Sequence, residues 1–279
     1  MTLRTALRQG EQLLGEAGVA EAKLTAEVLL CHALRREKVF LYTWPEHELS
    51  TIEWIHYGRY LHERLKGKPT QYITRRQEFF GREFVVSAEV LIPRPETEHV
   101  VERAATVARD ARRVLDIGTG SGALAVTLAL ESEREVVVAT DISAGALRVA
   151  RENARRHGAR VHLVKTDLAA GLRGPFDLVV SNPPYIPEAE IEHLQHEVRD
   201  WEPRVALAGG ADGAEPYRRI VPEAERILRP GGWLVVEIGY LIEAAVRAAL
   251  GAGWSEVETG FDLAGLPRVV SARWAGGKA

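Results

Sequence analysis

The loop Ser181-Asn182-Pro183-Pro184-Tyr185 gathers a side-chain amide, two prolines and an aromatic ring into one short stretch. Asn182 can accept through its side-chain oxygen and Pro183 through its carbonyl, so both N–H bonds of a planar amine can be held at once. The prolines hold these acceptors rigidly, and Tyr185 offers a flat face against which a planar amide or base can stack. An amide nitrogen is a poor nucleophile because its lone pair is delocalised into the carbonyl. Fixing both hydrogens directs that lone pair toward an electrophile, and in-line positioning then supplies much of the rate. Against a strong electrophile no powerful general base is needed, and the surplus proton can leave to water. Asn182, Pro183 and Tyr185 are therefore the expected catalytic residues, and Asn182, Pro183, Pro184 and Tyr185 the expected substrate contacts. Alone, Asn-Pro-Pro-Tyr also suits a polyproline turn; its place after a strand favours the functional reading.

A second candidate site is Asp116-Ile117-Gly118-Thr119-Gly120-Ser121-Gly122, a buried strand running into a glycine loop and a helix. Glycines without Cβ let the chain turn sharply and let a ligand lie against backbone amides. Nicotinamide enzymes use Gly-x-Gly-x-x-Gly with a helix N-terminus aimed at a pyrophosphate, whereas the spacing here is Gly-x-Gly-x-Gly. Asp116 suits a methionyl ammonium better than a diphosphate. Asp141 ends the next strand, where such folds place the acceptor for ribose hydroxyls. In Thr166-Asp167-Leu168, Asp167 could accept from an adenine amine and Leu168 could cover the base. The expected cofactor is S-adenosyl-L-methionine, leaving S-adenosyl-L-homocysteine, with contacts at Asp116, Gly118, Thr119, Gly120, Ser121, Gly122, Asp141, Asp167, Leu168 and Asn182.

The elements that must position these loops are readable from periodicity. Residues 1–75 repeat apolar positions at helical spacing (Leu3, Leu7, Leu14; Leu24, Val28, Leu29; Ile52, Ile55, Leu61) and predict a small helical bundle, with Ser50 a candidate helix cap. Residues 76–95 hold Phe79, Phe80, Gly81, Phe84, Val85 and Val86, the texture of a β-hairpin connector. From 96 to 279, β-branched runs alternate with helical segments, predicting a doubly wound parallel sheet with strands at 113–117, 135–140, 161–164, 177–180 and 233–238. Two last strands, 255–259 and 269–274, are separated by a loop and are expected to pair antiparallel, completing a seven-stranded mixed sheet.

Composition narrows the partners. With 46% apolar and 27% charged residues, the 279-residue chain can build a sizeable core. Thirty-six Lys and Arg against thirty-nine Asp and Glu leave a net charge of −3, without the basic excess of a phosphate-backbone binder, so direct nucleic-acid binding is not expected. Cys31 has no partner cysteine, which fits a reducing compartment. No secretory h-region or membrane span is evident, so a cytoplasmic protein is expected, working as a monomer.

Together, the Asp116–Gly122 and Asn182–Tyr185 motifs resemble Rossmann-like class I methyltransferases that act on planar exocyclic nitrogens, a group that includes enzymes for adenine or cytosine in DNA and for glutamine in proteins. The rest of the chain resembles the HemK/PrmC family, the release factor glutamine methyltransferases, through Leu91-Ile-Pro-Arg-Pro-Glu-Thr-Glu98, Gln71-Tyr72-Ile73, Phe80-Gly81, Glu202-Pro203, Gly209-Gly210-x-Asp212-Gly213, Pro230-Gly231-Gly232 and Glu237-Ile238-Gly239. The resemblance implies transfer of a methyl group to the N5 amide nitrogen of the glutamine in the Gly-Gly-Gln motif of peptide chain release factors, in translation termination, with the helical domain recognising the substrate. Arg75 stands where the family pattern has glycine, and Leu168 where some relatives have an aromatic. The alternatives are an amino-methyltransferase for adenine or cytosine in DNA and a non-catalytic cofactor sensor. His193 and His196, three apart with Glu192 and Glu197 beside them, lack further ligands, and no metal is expected. Glu202 and Arg204 are expected to structure the loop beside the pocket.

Overall fold

A computed structural model describes residues 1–276. The chain forms two compact units, one of Met1–Arg76 with Gln195–Trp201, the other of Gln77–Leu194 with Glu202 onward.

The first unit is built from α1 (Leu3–Glu16), α2 (Ala22–Leu34), α3 (Lys38–Thr43), α4 (Thr51–Leu65) and the short α5 (Thr70–Thr74). Its core includes Leu3, Ala6, Leu14, Leu29, Leu30, Tyr57 and Leu61. Ser50 caps α4 as expected, its hydroxyl accepting from the Glu53 amide while the Glu53 carboxylate reaches back, a reciprocal capping box. Periodicity located the helices but not always the inward face. Leu24, Val28, Ile52 and Ile55 are exposed, because α4 turns Tyr57, Leu61 and Arg64 inward and α2 buries Ala26, Leu29, Leu30 and Ala33. Glu27 is buried through a bond from the Tyr42 hydroxyl and an ion pair with Lys38. Arg75, the residue after α5, has φ of 61°. That left-handed cap conformation is one glycine adopts without strain, which accounts for the glycine of the family pattern.

The second unit begins with the hairpin β1 (Arg76–Phe79) and β2 (Arg82–Val85), followed by α6 (Glu98–Val107). Then come β3 (Arg113–Ile117), α7 (Ala123–Glu131), β4 (Val136–Asp141), α8 (Ala144–His157), β5 (His162–Lys165) and β6 (Phe176–Ser181). Beyond β6 lie α9 (Glu188–Ile191) and α10 (His196–Arg199), the latter part of the first unit. The chain continues with α11 (Glu215–Ile227), β7 (Leu228–Glu237), α12 (Glu243–Ala249), β8 (Trp254–Phe261) and β9 (Pro267–Trp274). The seven-stranded sheet runs β5-β4-β3-β6-β7-β9-β8, parallel except that β9 is antiparallel to both its neighbours. All seven expected strands are present, and the last two pair antiparallel as their separating loop implied.

Two apolar cores cover the sheet. One gathers α11, β7 and β9 around Tyr217, Ile220, Val236 and Trp254; the other gathers α6 and α7 with Phe79 and Phe84 of the hairpin. The hairpin is thus integral to the second unit. Asn153 of α8 is buried and bridges three backbone groups. Its Oδ1 accepts from the Val85 amide at 2.7 Å, and its Nδ2 donates to the Val85 carbonyl at 3.0 Å and the Ser121 carbonyl at 2.8 Å. One side chain thereby ties β2 to the glycine loop. The basic positions of α8 form its exposed face, with Arg155 and Arg156 both pairing to Glu152. Among the described residues, no helix is long and apolar enough to cross a membrane.

Asn153→Ala strands three buried polar groups, each worth roughly 1–3 kcal/mol. Urea unfolding should show a loss of about 3 kcal/mol; a change within experimental error would mean that β2 and the glycine loop are held by other contacts.

Candidate active site

Strand order changes direction at β3, which pairs with β4 on one side and β6 on the other. Loops leaving the carboxyl ends of two such strands diverge to opposite faces and open a crevice. Here they line a cavity of about 410 Å³. Its walls include Asp116, Gly118, Thr119, Gly120 and Ser121 after β3, Asp141 after β4, Asp167 and Leu168 after β5, and Asn182, Pro183 and Pro184 after β6. Eleven residues singled out from the sequence are therefore brought together.

The glycine loop is shaped by backbone bonds. Gly118 and Thr119 both donate to the Thr140 carbonyl at 2.9 Å. Gly118 and Gly120 have φ of 72° and 54°, with open space where a Cβ would point. Gly122, which is not in the cavity wall, lies against α8: a Cβ there would meet that of Ala150 at 3.1 Å. Asp141 has a role invisible in the sequence, since its Oδ2 accepts from the Gly120 amide at 2.9 Å and its Oδ1 from the Ser143 amide at 2.8 Å. It clamps the loop as well as facing the cavity. Asp167 pairs with Arg219 of α11 at 2.6 Å, and Leu168 adopts φ of 49°.

Asp116 is fully buried. Its Oδ2 accepts from the Thr119 hydroxyl at 2.6 Å, and its Oδ1 has no well-formed hydrogen bond. Burial pushes the carboxyl up to about 7, with Asp141 adding to the rise and Thr119 and the Ala125 amide opposing it. A buried carboxylate with one bare oxygen beside a cavity is arranged to meet a cation.

The Asn182–Tyr185 loop is fixed at both ends. Ser181 donates its hydroxyl to the Ile117 carbonyl at 2.7 Å, and beyond Tyr185, Ile186 exchanges bonds with Leu207 and Gly209. Asn182 donates its Nδ2 to the Thr97 hydroxyl oxygen at 3.0 Å. Tyr185 does not line the cavity. Its ring lies where a Cβ on Gly239 would approach within 2.9 Å, and its carbonyl where one on Gly213 would approach within 2.4 Å. These close approaches explain two glycines that the sequence alone left as bare motif positions. The segment before the domain is held by Glu202, whose buried carboxylate accepts from the Ile92 amide and from Arg94, the structuring role expected of it.

Sequence reading missed the partners of these residues. Thr97, Arg219 and Glu237 were motif letters or plain helix positions, and only the fold brings them to Asn182, Asp167 and Tyr185. The histidines separate: His196 pairs with Asp200 and packs on Gly67 within the first unit. No group of three potential metal ligands occurs among the described residues.

The sheet order and the crevice at the carboxyl ends of β3 and β6 define a Rossmann-like methyltransferase fold. The ribosomal protein L11 methylase of Lactobacillus delbrueckii subsp. bulgaricus shares it, with a TM-score of 0.52 at 22% identity over 71% of this chain and 89% of that one. Residues 5–74 match the PrmC N-terminal domain and residues 97–198 the methyltransferase small domain. The chain belongs to the release factor glutamine methyltransferase family. It is 43% identical over 277 residues to the member from Koribacter versatilis (98% of this chain, 99% of that one), and 45% identical over 274 residues to the member from Geobacter sulfurreducens (98% and 96%).

Asp116 makes stability depend on pH in a defined direction. The unfolded chain releases this proton near 3.8, the folded chain only near 7, so its contribution to stability declines as pH rises through that window and is gone above it. Asp116→Asn removes the effect. Urea unfolding at a series of pH values should show the variant gaining on the wild type up to about 7 and then holding a constant lead. A difference independent of pH would mean that Asp116 titrates normally.

Proposed function

We propose that the protein transfers the methyl group of S-adenosylmethionine to the side-chain amide nitrogen, N5, of the glutamine in the Gly-Gly-Gln motif of peptide chain release factors, a cytoplasmic step in translation termination. The observation that carries the reading is the placement of two acceptors, Asn182 and the Pro183 carbonyl, in one cavity with the glycine loop. Near-full-length identity to enzymes named for this activity supports the substrate.

The cavity walls fit the cofactor. Asp116 offers its bare carboxylate oxygen to the ammonium, Asp141 keeps lone pairs for ribose hydroxyls beyond those used by Gly120 and Ser143, and Asp167 and Leu168 border the place for adenine. Gly118 and Gly120, with open space where a side chain would be, let the ligand lie against backbone. When bound, S-adenosylmethionine supplies an electrophilic methyl carbon on a sulfonium. Asn182 Oδ1 and the Pro183 carbonyl accept the two hydrogens of the substrate amide, reducing the delocalisation of its lone pair and aiming it into the cavity. The amide nitrogen, held by Asn182 and the Pro183 carbonyl, would release its surplus proton to water. Pro184 keeps the acceptors in place, and Tyr185 anchors the loop against Gly239. The helical unit serves release factor recognition, and the protein works as a monomer.

Asn182→Ala should lower turnover by on the order of a hundredfold or more, with a much smaller change in cofactor affinity, because the acceptor matters most in the transition state. Stopped-time assays and calorimetry read the two effects separately; equal losses in both would make Asn182 a cofactor ligand.

The substrate is tested with labelled cofactor. Label should appear on the glutamine nitrogen of an intact release factor, with a short Gly-Gly-Gln peptide a much poorer acceptor, since remote contacts supply binding energy used to position the amide. Labelled adenine or cytosine in duplex DNA, with the release factor unmodified, would overturn the assignment in favour of a DNA amino-methyltransferase.

A further inference from the structure

An asparagine side chain has two ends of nearly the same shape and opposite hydrogen-bonding character. With Asn182 Oδ1 toward the cavity it accepts from a substrate amide; turned over, it would present an NH2 to an NH2 and repel it. Something must choose between these orientations, and it lies behind the loop.

Glu237, the last residue of β7, is 2% exposed. The Thr97 and Tyr185 hydroxyls lie near its carboxyl and favour its ionised form, and its Oε2 has no hydrogen-bond partner. Thr97 in turn receives the Asn182 Nδ2 at 3.0 Å. Both Thr97 and Asn182 line the cavity; Glu237 does not. An ionised carboxylate only accepts. Thr97 has one hydroxyl hydrogen, and an ionised Glu237 beside it would draw that hydrogen, leaving a lone pair of Thr97 to accept from the Asn182 Nδ2. Asn182 must answer with Nδ2, which leaves Oδ1 for the substrate. The Tyr185 hydroxyl also lies near Glu237, so one carboxylate faces two residues that bear on the loop.

We propose that Glu237 is a positioning residue for methyl transfer, acting through Thr97 to fix the Asn182 amide with its oxygen toward the substrate. This rests on the reading of Asn182 as the substrate acceptor. A purely structural role accounts poorly for a carboxyl here, because an apolar or amide side chain would fill the same space without the cost of a buried charge.

The same chain of bonds makes the arrangement sensitive to pH. Burial pushes Glu237 up to about 7; Glu96 adds to the rise, and Arg268, Thr97 and Tyr185 oppose it. Arg268 of β9 is shared with Asp262 and Glu96, and Tyr217 of α11 donates to the Glu237 backbone carbonyl at 2.7 Å, away from the carboxyl. Protonated, Glu237 can donate to Thr97, Thr97 can then donate onward, and Asn182 is drawn round to offer Oδ1 to Thr97 and Nδ2 to the cavity. Turnover should therefore rise with pH through about 7.

The test uses the full-length enzyme, an intact release factor and saturating cofactor, which keeps the titration of Asp116 out of the rate. Glu237→Gln and Thr97→Val should each lower kcat by about ten- to a hundredfold, with cofactor affinity unchanged by calorimetry. The acid limb near 7 should vanish from Glu237→Gln, and the double variant should be no worse than the poorer single one, because both act through the same amide. Thr97→Ser keeps the hydroxyl and should recover most of the loss, which decides the matter even if Glu237→Gln fails to fold. An unchanged kcat in Thr97→Val, an acid limb retained in Glu237→Gln, or additive losses would overturn the proposal. A wild-type enzyme that labels a different planar amine overturns the substrate reading alone, and the variants are then read on that acceptor.

Discussion

The hydroxyl of Ser181 donates to the carbonyl of Ile117 at 2.7 Å inside the sheet, and these two residues are also register partners at the ends of β6 and β3. From this point the chain diverges in two directions, into the glycine loop and into the Asn182–Tyr185 loop. A reaction between two bound molecules requires their seats to hold a fixed separation, because an ångström of play costs orders of magnitude in rate. The ladder between β3 and β6, closed at its end by a side chain, supplies that fixity. The rest of the second unit braces the two loops, with Asn153 and Asp141 holding one from behind and Thr97 and Gly239 the other.

Charge is distributed unevenly around this ladder. Most carboxylates of the protein are exposed or paired with arginine, but Asp116 and Glu237 are fully buried and each has an oxygen without a good partner. Each stands near a strand end, Asp116 in β3 lining the cavity before the glycine turn and Glu237 at the end of β7, outside the cavity wall and behind the acceptor loop. Both cost stability above the pH at which they ionise. Other buried polar atoms without a partner include the neutral Tyr57 and Thr127 hydroxyls, whereas among the described residues the two carboxyl oxygens so placed belong to Asp116 and Glu237.

Much of this was legible in the sequence because it is local. The β-branched runs at 113–117 and 177–180, the glycine spacing after Asp116 and the prolines after Asn182 are short-range patterns with direct structural meaning. What could not be read depends on partners far along the chain. Thr97 meets Asn182 across 85 residues, and Arg219 meets Asp167 across 52. Helix faces were also hidden where apolar residues surround the helix: Ile52 and Ile55 share the spacing of a core stripe, yet α4 turns Tyr57 and Leu61 inward. Glycine at 213 and 239 was recognisable only as a pattern until the backbone and ring of Tyr185 were seen to occupy the space of a side chain.

The division of the chain also bears on how the helical unit could be exchanged or lost. The polypeptide leaves that unit after Arg76 but returns to it at Gln195–Trp201, where Glu197 pairs with Arg64 at 2.6 Å and His196 fills the space beside Gly67. A single cut after Arg76 would therefore not release an intact module; it would strand a piece of the bundle inside the remaining polypeptide. Recombination that swaps this unit between relatives has to change two separated stretches together, so the bundle and the excursion that completes it are expected to be inherited as a pair.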